Sequence, residues 1–279
     1  MILIADSGST KTDWCLTDGV KTAFFKTGGI NPFFQNEEDV RKILIDGLLK
    51  KLPIEPITDV FFYGAGCASS IECARIRKLF KKIVGAEKVE VYSDLIGAAR
   101  SLCGRSPGIV CILGTGSNSC YWNGTSVVKH TPALGFILGD EGSGAYIGRR
   151  LISDCLKGLL PASLVESFYK QFPYKESEIL KKVYSEPFPN RFLASFAPFV
   201  AEHINEPEMR KLAEDAFADF MERNIMSYPY QTERVYMVGS VAVVFRNVIA
   251  KVALEHGIML GNVTDAPIKG LAEYHTVKI

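Results

Sequence analysis

Charge of one sign is missing from this chain. Its 279 residues carry 32 Lys+Arg against 31 Asp+Glu, a formal net charge of +1. Nothing electrostatic argues for nucleic acid or an anionic membrane surface as a partner. Long apolar runs are missing too. The longest nearly unbroken one, residues 235–245, falls well short of the roughly 20 residues a bilayer span needs. The opening Met1-Ile2-Leu3-Ile4-Ala5 has neither a basic n-region nor a full apolar h-region, so it reads as a buried first strand and no signal peptide is expected. Seven cysteines (Cys15, Cys67, Cys73, Cys103, Cys111, Cys120 and Cys155) are odd in number and dispersed, with no Cys-x-x-Cys. That argues against a disulfide framework, and four histidines remote from any cysteine pair argue against zinc. Several of the cysteines lie in apolar strands, where thiols behave as small hydrophobes. A reducing cytoplasm is the expected compartment. Low-complexity segments and short-period repeats are absent.

What is present is ordinary globular composition, 47% hydrophobic and 23% charged, enough for one large or two ordinary domains with a sizeable core. Two glycine–hydroxyl loops stand out, each riding on an apolar strand. The first lies in Ile2-Leu3-Ile4-Ala5-Asp6-Ser7-Gly8-Ser9-Thr10-Lys11-Thr12, the second in Ile109-Val110-Cys111-Ile112-Leu113-Gly114-Thr115-Gly116-Ser117-Asn118. At one constant offset Gly8 pairs with Gly116, Ser9 with Ser117 and Trp14 with Trp122. Another apolar stretch and then a turn follow each loop, Asp18-Gly19 and Asn123-Gly124. The pattern is strand, tight turn, strand, hairpin turn, written twice.

Residues 36–52 have helical spacing, 60–63 form a short buried strand ending in Gly64-Ala65-Gly66, and 70–84 read as a helix. A strand over 89–92 and a helix over 94–103 follow, and a further edge strand is expected near 21–26. This alternation predicts a mainly parallel sheet faced by helices. The break at 104–108 marks a domain boundary, giving units 1–106 and 107–279. Residues 141–156 look helical, 160–230 form a proline-punctuated helical insertion, and 234–242 read as a buried strand breaking into a small-residue turn. A helix then runs to 255, and a short terminal helix at 267–275 is expected to pack back on the first unit.

A phosphate needs donors and little bulk. Glycines let backbone N–H groups approach, and hydroxyls add donors. Gly8, Ser9, Thr10 and Thr12 supply these, with Lys11 as a point charge, and Gly114, Thr115, Gly116 and Ser117 supply them again. Asp6, just before the first loop, would repel phosphate unless a cation lay between them, which points to Mg²⁺ held through waters. Gly239-Ser240 after a buried strand lets a helix start close to a flat ligand such as adenine; tight helix–sheet packing explains it as well. Each loop alone also reads as a plain hairpin turn. Neither is a Walker A loop, and Gly114 and Gly116 lack the third glycine of a dinucleotide fingerprint.

These segments, in this order and with Gly139-Asp140-Glu141-Gly142-Ser143 between them, resemble the phosphate-one, phosphate-two, sugar-loop and adenosine motifs of N-acetylglucosamine kinases. Those belong to the BadF/BadG/BcrA/BcrD-type ATPases of the actin, sugar-kinase and heat-shock chaperone superfamily. The resemblance implies an α/β, two-lobed, duplicated ribonuclease H-like fold with a helical insertion in the second lobe. It implies ATP and Mg²⁺ as cofactors, transfer of the γ-phosphate to an N-acetylated amino sugar to give a 6-phosphate, and lobes closing on a cleft. It places the catalytic base at Asp94, where Ser93 or Asp94 acting as a helix cap is the competing reading. It assigns sugar hydroxyls to Asn31, also readable as a turn residue before Pro32, and to Asp140, also readable as the N-cap of the next helix. Thr115 would touch sugar as well as phosphate, and Gly64 would lie near the acetamido group. A homodimer is plausible by the same resemblance.

Where family members carry an aromatic wall before the Gly-Asp-Glu run, this chain has Leu134. The change leaves room for an N-acetylmuramate-type acceptor. The other branch of the family, activator ATPases of dehydratases and reductases, shares an iron–sulfur cluster through a cysteine. Cys67 is the candidate for that role, and no cysteine is expected in the helix after the second loop.

Overall fold

The computed structural model describes residues 1–8 and 10–276; Ser9 lies outside the described residues. Two compact units emerge. Unit one comprises Met1–Ser106, Asn123–Ser126 and the chain from Ala266 on; unit two comprises Pro107–Trp122 and Val127–Asp265.

Unit one is built on β1 (Ile2–Ser7), β2 (Lys11–Thr17), β3 (Thr22–Gly28), β4 (Asp59–Gly64) and β5 (Lys88–Ser93), in the order β3-β2-β1-β4-β5. The sheet is mixed, not mainly parallel: β1, β4 and β5 run parallel, while β1–β2 and β2–β3 are antiparallel. The cause is local. Asp18 Oδ1 accepts from the N–H groups of Val20 and Lys21 at 2.8 and 2.7 Å, and Gly19 has a φ of 91°. A chain reversed that tightly forms a hairpin and cannot cross over. Alternation sorts the side chains. Leu3, Ala5, Trp14 and Phe62 enter one core with Phe80. Ile4, Cys15, Phe61 and Tyr63 face the other way and are covered by Ile268, Leu271 and Ala272 of the terminal helix Ile268–Thr276. The helix Asp94–Cys103 lies on the same side, with Ile96 packed into that cluster.

Unit two repeats the plan with β6 (Gly108–Leu113), β7 (Ser117–Trp122), β8 (Val127–Thr131), β9 (Val235–Val238) and β10 (Leu260–Thr264), ordered β10-β9-β6-β7-β8. Here β6, β9 and β10 are parallel and β6–β7–β8 antiparallel. The helices inserted between β8 and β9 bring Phe168, Phe196, Phe199, Phe217 and Phe220 into the core. No described helix is long and apolar enough to cross a membrane.

The constant sequence offset between the two loops does not survive. Strand pairing closes the first loop between Ser7 and Thr12 and the second between Leu113 and Ser117. Gly8 N–H donates to the Lys11 carbonyl at 3.0 Å, and Gly114 N–H to the Gly116 carbonyl at 2.9 Å. Gly8 therefore corresponds to Gly114, not Gly116, and the first loop is one residue longer.

Candidate nucleotide and acceptor site

In unit one the three parallel strands end level: Ser7, Gly64 and Ser93 are in register. Ser93 is the N-cap of the next helix, its hydroxyl accepting from Ile96 N–H. That leaves Asp94 as the first helical residue, with Oδ1 accepting from Leu95 N–H at 2.9 Å. Burial pushes the Asp94 carboxyl up. Asp6 is driven up to about 7, first by burial, then by the negative charges of Asp94 and Asp13, against the pull of Lys11. Three acids thus gather at this end of the sheet, although among the described residues no group of three or more His, Cys, Asp or Glu is arranged to hold a metal ion directly.

The segment carrying Asn31 is tied down from several sides. Ser7 Oγ accepts from Ile30 N–H at 2.9 Å and donates to the Ile30 carbonyl at 3.0 Å. Gly29 N–H donates to the Thr10 carbonyl at 3.1 Å, and Gln35 Oε1 accepts from Asn31 N–H at 2.8 Å. Gly66 explains the glycines after β4. Its φ is 80°, and a Cβ there would sit 2.0 Å from Asn31 Oδ1. The turn reading of Asn31 is also correct, since its Oδ1 accepts from Phe33 N–H at 3.1 Å.

In unit two, Gly114–Gly116 is a bare turn against the start of the helix Gly144–Leu156. The N–H groups of Gly144 and Ala145 donate to the carbonyls of Gly114 and Thr115 at 2.8 and 3.1 Å. Ser143 caps that helix, so the N-cap reading of Asp140 is wrong. Asp140 sits earlier in the turn with a φ of 55°, and Oδ1 accepts from Ser117 N–H at 3.2 Å. Burial, and then Glu141, raise it to about 6. Gly116 permits the arrangement, because a Cβ there would lie 2.9 Å from Asp140 Oδ2. Gly239, with a φ of 126°, runs so close under β6 that a Cβ would meet the Leu113 carbonyl at 2.2 Å. Ser240 then opens the next helix, at Ser240–Val244.

The structure thus groups Asp6, Gly8, Thr10, Lys11, Asn31, Gly64 and Asp94 in unit one, and Gly114, Thr115, Gly116, Ser117, Asp140, Gly239 and Ser240 in unit two. Thr12 is buried, its hydroxyl donating to the Gly28 carbonyl at 3.0 Å; it builds the loop and does not line it. Two carboxylates escaped sequence reasoning. Asp13 is buried opposite Asp6. Glu141 accepts from Asn224 Nδ2 at 3.3 Å. The expectation of no cysteine in the helix after the second loop also fails: Cys155 lies in its last turn, buried in the core. Leu134 is 64% exposed with a φ of 62°.

No family model matches the sequence, and no curated protein does. Solved structures do. A ROK-family glucokinase from Streptomyces griseus, crystallised with glucose and AMPPNP, superposes with a TM-score of 0.55 at 13% identity, over 98% of each chain. The fold is that of the actin-like ATPases and sugar kinases. A candidate N-acetylglucosamine kinase from Chromobacterium violaceum reaches a TM-score of 0.79 at 19% identity over 98% of each chain. Another, from Porphyromonas gingivalis, reaches 0.95 at 42% identity over 99% of each chain. At that identity the chain belongs to the N-acetylglucosamine kinase-like, BadF-type family.

Proposed function

We propose that this protein is an ATP-dependent kinase of an N-acetylated amino sugar, with N-acetylglucosamine as acceptor and its 6-phosphate as product. The observation that carries the reading is the division of labour at the end of β5. Ser93 does the capping, and the desolvated Asp94 beside Asp6 is left for proton transfer. Asp94 accepts the proton of the attacking hydroxyl as the new O–P bond forms and ADP leaves. Burial strengthens it as a base relative to a solvated aspartate. Asp6 would hold Mg²⁺ through waters, and the ion offsets phosphate charge when bound. The loops that Gly8 and Gly114 open, with Thr10, Lys11, Gly116 and the Thr115 hydroxyl, take the phosphates. Asn31 and Asp140 orient sugar hydroxyls, Gly64 leaves space for the acetamido group, and Gly239-Ser240 admit the adenosine. The balanced charge and the dispersed cysteines with no Cys-x-x-Cys fit a cytoplasmic enzyme, and a homodimer fits the family resemblance.

The exposed Leu134 keeps N-acetylmuramate as the second acceptor to try. An activator role is disfavoured. Cys67 and Cys155 are buried, and burial pushes the Cys67 thiol up to about 12, far from the thiolate a cluster needs.

The test is ADP release with Mg²⁺-ATP against N-acetylglucosamine, N-acetylmannosamine, N-acetylmuramate, glucosamine, glucose and no sugar. One N-acetylated sugar should stimulate strongly, and Asp94→Asn should lower kcat by ~10²–10⁴-fold. Hydrolysis independent of sugar, or full activity in the variant, would overturn the reading.

A further inference from the structure

Across unit one, Lys26, Asp13, Asp6 and Tyr63 stand side by side on β3, β2, β1 and β4. Direct cross-strand partners share a face, and like charges placed directly opposite destabilise a sheet. Asp13 opposite Asp6 is such a pair, and its side chain is only 8% exposed. The fold alone would be better served by an apolar or β-branched residue there. What the acid does is visible in its contacts. Its Oδ2 meets Lys11 Nζ at 2.9 Å, and its Oδ1 meets Lys26 Nζ at 3.4 Å. Both lysines are more than half exposed, so neither is fixed by packing. The Lys11 backbone is fixed, because its carbonyl accepts from Gly8 N–H. Its flexible stem is tethered by Asp13.

We propose that Asp13 is a positioning residue for nucleotide binding. It holds the Lys11 ammonium, with Lys26 as a second cation, beside the first phosphate loop, ready for the phosphates of a nucleoside di- or triphosphate. The inference rests on reading Gly8–Thr12 as a phosphate loop. A stem ordered in advance loses less freedom when the ligand arrives, so affinity rises without a new contact.

The sign of the effect separates this role from a general field. Deleting a negative charge near a phosphate site tightens binding if only net charge counts. Loss of positioning weakens it. Calorimetric titration with ADP, without sugar or turnover, should give a dissociation constant ~10-fold higher for Asp13→Asn and for Lys11→Met, and no further loss in the double variant. Asp13→Glu should recover part of the loss. Tighter or unchanged ADP binding in Asp13→Asn, or losses that multiply in the double variant, would overturn the proposal. Should Asp13→Asn fail to fold, the cycle of Asp13→Glu with Lys11→Met decides on the same criterion. A protein that shows this ADP pattern yet phosphorylates no sugar sinks the kinase reading and leaves the role of Asp13 standing.

Discussion

Asp140 occupies a backbone conformation that non-glycine residues rarely adopt, and its carboxylate is buried against Gly116. Both features cost stability, and the ionisation gives the sign. The group titrates at about 6 in the fold against 3.8 ordinarily. Its charged form is therefore penalised in the native state above about pH 6, and the penalty vanishes below the ordinary value. Asp140→Asn keeps an acceptor for Ser117 N–H and removes the charge. Urea unfolding at neutral pH should show this variant ~1–3 kcal/mol more stable than the parent. Its KM for sugar should rise, because a carboxylate accepts from paired hydroxyls and an amide does so with one oxygen only. A less stable variant, or one with an unchanged KM, would contradict the account. Asp13 and Glu141 were illegible for a related reason. Asp13 is one more acid beside a recognised motif and Glu141 one inside it, and only the partners the fold supplies, Asp6 across the strands and Asn224, reveal that each is held out of solvent.

The helix Asp94–Cys103 shows a similar coupling one level up. Gly97 lies inside it, where alanine is ordinarily favoured by about 1 kcal/mol. Here a Cβ would fall 2.8 Å from Tyr63 Cβ, which cannot swing away. Gly97→Ala should therefore destabilise the protein despite its better propensity. It should also lower kcat, because the helix that must back off carries Asp94 at its first position. Denaturant midpoints and sugar-dependent ADP release measure the two effects; a stabilised, fully active variant would refute the packing argument. This helix, with Ser70–Val84, was legible to both ends, since serine caps and a terminal glycine bracket both apolar periodicities. The strands β8 and β10 were not. β8 is largely exposed, so no alternation marks it, and β10 carries Gly261 and Asn262 in its middle. The loop equivalence was misread because a single extra residue in the first loop shifts the register, which only the ladders define.

At the scale of the whole molecule, duplication was the most legible property, since two strand–loop–strand–turn cassettes lead into two five-stranded sheets of one topology. A pH response belongs to this scale, because it acts through the terminal helix. His275 stacks on Phe61 at 3.8 Å and bonds to Tyr63 Oη at 2.8 Å. Burial, followed by the Arg100 charge, lowers it to about 4 from 6.5. The unfolded chain takes up this proton at higher pH than the native one, so its contribution is present above about pH 6.5 and lost as the pH falls toward 4. Asp6 and Asp140, both raised, work in the opposite direction over the same range, so the comparison isolates the histidine: from about pH 7.5 to pH 5 the urea midpoint of the parent should fall relative to that of His275→Phe. Equal responses in the two proteins would reject His275 as a source. The same helix imposes an order on synthesis. Residues 107–265 hold nearly all of unit two, and they leave the ribosome before the helix that covers Ile4, Cys15, Phe61 and Tyr63 exists. Although most of unit one precedes unit two in the sequence, part of its apolar face waits uncovered until the helix Ile268–Thr276 arrives. The nascent protein therefore completes its second unit first, and for that interval its first unit is the part a chaperone would need to shield.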